Sequence, residues 1–498
     1  MCPLQKKQSN SKEIKFRVKE VGTVKAVREF IVLAKDMPSC INGQIVEFEG
    51  GLRGIVMGFT QEDVQILMLG PKAKIRAGDK VYSQAKSLYL PVGNAYIGRV
   101  VNALCEPVDG KGEIVPDEMY PVFKEAPGVM DRATVERTLE SGTRIIDTIM
   151  PLALGQRQLI VGDRQTGKTT MTTDAIINQK GKNVICIYCS IGKTYSSLMK
   201  TIDLFQKKGV FDYSLVVSGV ASTSVGEQYL APYTAAMLGE YYMYHGKDVL
   251  VVFDDLTRHA WIYRQISLLL NRAPGREAYP GDIFYIHSQL MERAAQLSNE
   301  FSGGAMTFLP IVETLQGDAT GYIPTNLVSM TDGQTYFSSA LFNKGFRPAI
   351  DVGLSVSRIG NRAQWPAIKG PSRSLRMEFL QYKELVQMTQ LRTTDLSKEA
   401  QKKLHRGEAI SELLIQNKND PISMERLVIE MYALNREVLD EMTKEEIKKF
   451  KAEFYPKIVE WFPNLPKQLR EGKVVVDETI ANLEEAIFYY FNPPDATQ

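Results

Sequence analysis

Cysteine and histidine are scarce in this chain of 498 residues, with five of the first and four of the second. Cys2, Cys40, Cys105, Cys186 and Cys189 are too few and too scattered for a disulfide framework to organise the fold. Cys186 and Cys189 do have C-x-x-C spacing, but they lie in a strand-like run where residues three apart face opposite sides. That argues against a shared metal or a disulfide and for reduced, buried thiols in a cytoplasmic compartment. His245, His259, His287 and His405 show no ligand spacing and read as structural. Charge of one sign is also lacking: 60 basic against 58 acidic residues leave +2, so nothing in the balance points to a polyanion-binding surface, and no nucleic-acid partner is expected. No apolar run reaches the roughly 18 residues that a membrane-spanning helix needs. Met1 to Lys7 has no apolar segment of the kind a signal peptide carries. Any membrane association is therefore expected to come through partners.

Against those absences stands one dense motif. Gly162-Asp163-Arg164-Gln165-Thr166-Gly167-Lys168-Thr169 follows the apolar run Leu159-Ile160-Val161 and opens a helical pattern. A triphosphate needs many donors at once, and glycine-permitted backbone N–H groups, a lysine ammonium and a helix N-terminus supply them together. Lys168 would reach the β- and γ-phosphates, and the Thr169 hydroxyl would hold Mg²⁺. The run Asp248 to Asp255 is β-branched and aromatic and ends in two acids, the pattern of a buried parallel strand. Asp254 would then orient a Mg²⁺-bound water, while Asp255 is placed to cap the next helix.

Composition changes twice along the chain. Residues 1–20 form a short N-terminal segment. From 21 to 91, short β-branched segments alternate with glycine turns, as in Gly43 to Gly51 and Gly54 to Gly58, which predicts a small antiparallel barrel. From 92 to 373, strands alternate with helical patterns, which predicts a parallel α/β nucleotide-binding domain of the P-loop type. From 374 to 498 helices take over. Leu427, Met431, Leu434 and Val438 repeat at helical spacing, and Thr443-Lys444-Glu445-Glu446 reads as a capping box ahead of Ile447, Phe450 and Phe454.

Together with the Gly162–Thr169 loop, Asp254-Asp255-Leu256-Thr257, the run Tyr263 to Leu270, Pro274 to Asp282, Tyr322 to Asn326, Thr331 to Gln334 and Gly353 to Gly360 resemble the alpha subunits of rotary F-type ATP synthases. The likeness runs from about Val21 to beyond Gln390. It implies a RecA-like core binding ATP or ADP with Mg²⁺, alternation with beta subunits in a hexamer around a gamma shaft, contact with a delta or peripheral-stalk subunit, and indirect attachment to a membrane sector on the cytoplasmic face. It also implies that Arg358 is an arginine finger for the neighbouring beta site, with Ser355 needed for activity and setting that loop. Arg347, Pro348 and Gln390 are placed by it at the adenine pocket.

The resemblance separates the two kinds of subunit. Catalytic beta subunits carry a glutamate shortly after the strand that follows the phosphate-loop helix, and it aligns the attacking water. Here the strand Asn183 to Cys189 leads into Ser190-Ile191-Gly192-Lys193-Thr194, with no carboxylate. A lysine is no base toward water at neutral pH unless its pKa is greatly lowered, so the site is expected to hold MgATP without hydrolysing it. Family alpha subunits usually have glutamine at this place. Lys193 departs from that pattern, and either adds positive charge to the phosphate site or points into solvent. A self-sufficient export ATPase of the flagellar type would need its own glutamate here. A Rho-type helicase would want a basic barrel studded with clustered aromatics, and residues 21–91 have no such clustering. Alpha subunits of the family commonly have about twenty more residues before the barrel, so either the stalk is contacted differently here or the complex is a divergent F-like one that dispenses with that contact.

Overall fold

The structure is a computed structural model that describes residues 20–70, 75–391 and 397–492. The N-terminal segment 1–20 lies, apart from Glu20, outside the described residues. Six strands, Glu20–Arg28, Ile31–Lys35, Gln44–Phe48, Arg53–Phe59, Val64–Leu69 and Lys80–Ser87, close into an antiparallel barrel. Alternation does the work here. Val24, Val32, Val46, Phe48, Val56, Ile66 and Val81 form its buried apolar core, and glycines Gly50 and Gly51 turn the chain between strands.

Leu90 to Gln498, apart from Ser224–Gly226, forms the second compact unit. Its sheet runs, edge to edge, Val356–Ser357, Gly333–Phe337, Leu159–Gly162, Ala305–Glu313, Asp248–Asp254, Val184–Ile191, Ser214–Gly219 and Val100–Asn102. Neighbours are parallel except for the first pair, and Ala295–Gln296 adds an antiparallel pairing to Ala305–Glu313. Val184–Ile191 is buried at every position, which is why the run reads as continuous apolar sequence rather than as alternation. Cys186 and Cys189 are both buried free thiols in it. The crossover helices include Lys168–Ile177, Tyr195–Lys208, Val225–Tyr244 and Leu256–Leu269.

Beyond Ser372 the chain is helical among the described residues, through Ser372–Leu391, Lys398–Leu414, Met424–Asn435, Lys444–Trp461, Leu465–Gly472 and Asp477–Phe491. Thr443 caps Lys444–Trp461 in a reciprocal capping box with Glu446, and Ile447, Phe450 and Phe454 are buried behind it. Leu427, Met431 and Leu434 face the core as their spacing predicts. Val438 also packs, partly buried, against the core, but not as part of that helical stripe, because the helix ends at Asn435 and Glu437 takes a left-handed φ of 58° that breaks the helical period. The chain thus combines a six-stranded barrel, an α/β nucleotide-binding domain and a helical C-terminal domain.

Candidate nucleotide site

Parallel strands gather their carboxyl ends on one side of the sheet, where an α/β fold places its ligand. Gly162 is in register with Glu313 and Phe337, and Ser190 with Asp254, so the phosphate loop, the acid and the turn bearing Lys193 leave the sheet together. Gly162 has φ 152°, and a Cβ there would stand 2.4 Å from the Phe337 carbonyl oxygen. Gly167, at φ 102°, makes the left-handed turn that starts the helix Lys168–Ile177. These two positions make the loop possible only with glycine.

Asp163 faces away from the cavity as an anchor. Its carboxylate accepts hydrogen bonds from Thr314 Oγ1 at 2.6 Å, Gly317 N at 2.8 Å and Ser339 Oγ at 2.6 Å. Partial burial would raise this carboxyl, but the bonds from Ser339, Thr314 and Gly317 outweigh it and hold it below its ordinary value. Thr166 closes the turn by donating to the Asp163 carbonyl at 2.8 Å. Gln165 sits at a left-handed φ of 62°, and Arg164 donates to Glu313 at 2.8 Å. Lys168 folds over the loop, donating to the Gly162 carbonyl at 2.7 Å and to that of Asp163. Burial lowers its pKa, against the pull of Glu313, Asp255 and Asp254.

Asp254 is fully buried and heavily engaged through one oxygen. Its Oδ2 accepts from Thr169 Oγ1 at 2.9 Å and Tyr188 Oη at 2.7 Å, and pairs with Lys193 Nζ at 2.5 Å. Its Oδ1 is buried and without a hydrogen-bond partner, and next to the Thr169 hydroxyl this hard oxygen pair suits a hydrated Mg²⁺. Asp255 caps the helix Leu256–Leu269, accepting from Arg258 N at 2.8 Å, and burial with the charges of Asp254 and Glu313 pushes its carboxyl up to about 7. Lys193 points inward. Gly192, at φ 61°, turns the chain, and its carbonyl accepts from Arg258 Nη1 at 2.6 Å, which aims Lys193 at Asp254 and within 3.1 Å of Thr169 Oγ1.

A cavity of about 1320 Å³ opens above the loop. One wall is Arg164 to Thr170 with Lys193, Asp254, Asp255 and Glu313; another is Phe342, Gly345, Arg347, Pro348 and Ala349. The Arg347 guanidinium lies over the Phe342 ring at 4.7 Å. The remaining wall comes from Ile415, Gln416, Asn417 and Lys418, a segment that reading along the sequence missed. Gln416 ties it down, donating to the carbonyls of Gly142 and Asp420 and accepting from Arg144 N at 2.9 Å. Its only local signal is the polar break Gln416 to Asp420 between two helices. Gln390 lies near the end of the helix Ser372–Leu391, and its side chain is outside the described residues.

Asp174, on the phosphate-loop helix, lines the same cavity and accepts from Asn419 N at 3.0 Å. Burial pushes its carboxyl up to about 7, against the lowering bond from Asn419. The folded chain therefore holds this proton over a window from about pH 4 to about pH 7 in which the unfolded chain has released it, and the stability it confers is lost as pH rises through the upper limit. Asp174→Asn keeps an acceptor for Asn419 and removes the ionisation. Thermal melts across that window are expected to show a flatter fall in Tm with pH than the parent chain, and a higher Tm on the alkaline side. An unchanged slope would assign the pH dependence elsewhere.

Ser355 and Arg358 lie on another loop and do not line the cavity. Ser355 is fully buried; its hydroxyl donates to the Asp351 carbonyl at 2.6 Å and accepts from Tyr336 N at 2.9 Å. Arg376, also not singled out from sequence, donates to the carbonyls of Val352 and Ser355, and Gln158 donates to that of Val356. Arg358 N donates to the carbonyl of Asp332, whose carboxylate Arg157 grips at 3.0 and 3.1 Å. On this braced loop the Arg358 side chain is exposed.

A glycine-turned loop at a helix N-terminus, faced by an acid from a parallel strand one place further along the same sheet, defines a P-loop nucleotide-binding protein. The ATP synthase alpha/beta family matches in all three of its parts: the beta-barrel domain at residues 18–84, the nucleotide-binding domain at 142–357 and the C-terminal domain at 364–489. The ATP synthase subunit alpha of Petrotoga mobilis is 46% identical over 479 residues, covering 95% of each chain. That of Clostridium botulinum strain Eklund 17B is 45% identical over 482 residues, covering 97% of this chain and 95% of its own. The chain belongs to the ATP synthase alpha/beta family, on the side of its alpha subunits.

Proposed function

We propose that this chain is the nucleotide-holding, non-hydrolysing subunit of a rotary ATP synthase and lends an arginine to catalysis on its neighbour. The observation that carries the reading is that no carboxylate stands in the turn after Val184–Ile191, and each carboxylate lining the cavity already has a protein partner on at least one oxygen. Asp254 pairs with Lys193, Asp255 caps a helix, Glu313 pairs with Arg164 and Asp174 holds the Asn419 amide. A general base must accept a proton from water within hydrogen-bond reach, and the turn after Val184–Ile191 presents an ammonium instead.

In this reading Gly162 to Thr169 wrap the phosphates of ATP or ADP, Thr169 and Asp254 hold Mg²⁺, the latter through water, and Arg347 and Pro348, with Gln390, flank the base. Arg358 reaches a beta subunit in an alternating hexamer, and Ser355 acts on it by holding the loop. A gamma shaft, a peripheral stalk with a delta subunit, and an ion-moving membrane sector complete the assembly. No helix among the described residues is long and apolar enough to cross a membrane, so attachment on the cytoplasmic face would run through those partners.

The purified chain, free of beta, is expected to bind ATP with magnesium and to release no phosphate above background. Steady turnover by the chain alone, at rates near those of assembled complexes, would overturn the reading.

A further inference from the structure

Lys193 has no part in the nucleotide-holding reading beyond displacing a base, yet it is held in place more tightly than that requires. Its side chain is only 16% exposed. Gly192 and Arg258 fix the turn before it, and the Lys193 carbonyl accepts from Ala221 N at 2.8 Å. The ammonium stands 2.5 Å from Asp254 Oδ2 and 3.1 Å from Thr169 Oγ1, the two side chains whose oxygens suit the metal.

We infer that the Lys193 ammonium is a built-in cation at the Thr169–Asp254 position, so that this chain binds nucleoside triphosphate with little need for magnesium. The inference rests on the nucleotide reading of Gly162 to Thr169. Two of the three ammonium protons are used by Asp254 and Thr169, and the third is free for a phosphoryl oxygen. Magnesium at a phosphate loop neutralises the polyphosphate and ties it to these same two side chains. Lys193 performs both tasks with covalently attached charge. Of the other basic groups, Arg164 is paired with Glu313 and Arg258 with Asp255, while Arg347 lies over the Phe342 ring and Lys418 belongs to the wall after Ile415. Lys168 forms no ion pair among the described residues, but its ammonium is used by the loop carbonyls of Gly162 and Asp163 rather than by Thr169 or Asp254. A hydrated divalent ion can still take Asp254 Oδ1, which is buried without a partner, but it shares that carboxylate with an ammonium already bonded to Oδ2, so less of the polyphosphate's charge is left for it to neutralise.

The test is equilibrium dialysis of radiolabelled ATP against the purified full chain, in excess magnesium and in EDTA, with Lys193→Gln, Lys193→Met and Lys193→Arg in parallel and far-UV circular dichroism to confirm folding. For the parent chain, EDTA is expected to weaken binding by no more than about 3-fold. In the Gln and Met variants it should weaken binding by about 30-fold or more, the size of one charge-assisted contact in a partly dry pocket, with magnesium restoring most of it. The Arg variant, which keeps the charge, should behave like the parent. An equal loss on EDTA in the parent and in a folded Gln or Met variant would overturn the inference while leaving the nucleotide reading intact. No ATP binding by the parent in either condition would remove both.

Discussion

Replacing Arg358 by lysine is expected to lower turnover of an assembled alpha–beta complex by about 10³-fold or more, an arginine-finger-sized effect, while nucleotide occupancy at this chain's own loop stays nearly unchanged. The expectation comes from where the loop is rigid and where it is open. Ser355, Gln158, Arg376 and Asp332 brace the backbone around it from within the fold, whereas the Arg358 side chain is exposed and lies outside the chain's own cavity. Lysine preserves the charge but not the planar fork that meets two phosphoryl oxygens as charge develops. The measurement pairs steady-state turnover of the reconstituted complex with a count of nucleotide retained per alpha chain. Near-normal turnover rejects the finger, and lost retention places Arg358 in this chain's own pocket instead.

Lys168→Ala has its effect on the other quantity. Nucleotide affinity of the purified chain is expected to fall by about 10²-fold or more, since the variant loses the loop's own ammonium, which among the described residues forms no ion pair and donates only to loop carbonyls. The fold should survive the change, because Lys168 donates to loop carbonyls and bears no ion pair in the core. Dialysis of labelled ATP against the variant, with circular dichroism as the check on folding, reads the result. Retention of parental affinity by a folded variant would mean that this loop is not where the phosphates sit.

Much of this was legible before any coordinates. The phosphate loop, the acid-ended strand and the capping box are local patterns, since each depends on residues within about eight positions along the chain and on the periodicity of one element. Asp255 as a helix cap and Thr443 with Glu446 as a capping box are seen as expected for that reason. Val438 shows the limit of periodicity, which continues past the point where the backbone leaves the helix at Asn435.

The sequence by itself determined the class of each segment and the identity of the phosphate-binding loop, because glycine conformation, β-branched runs and caps act through neighbours in the chain. Only the tertiary structure decided which distant groups meet. It turned Lys193 onto Asp254, 61 positions away along the chain, and brought Gln416 beside Arg347 as a cavity wall. It paired the scattered His259 and His287 at 3.2 Å, where burial pushes both below the ordinary imidazole pKa, and it buried Ser355 while leaving Arg358 open. The direction of a side chain at a turn and the partner across a sheet are set by strand order and by packing between elements far apart in sequence, and no single segment contains that information.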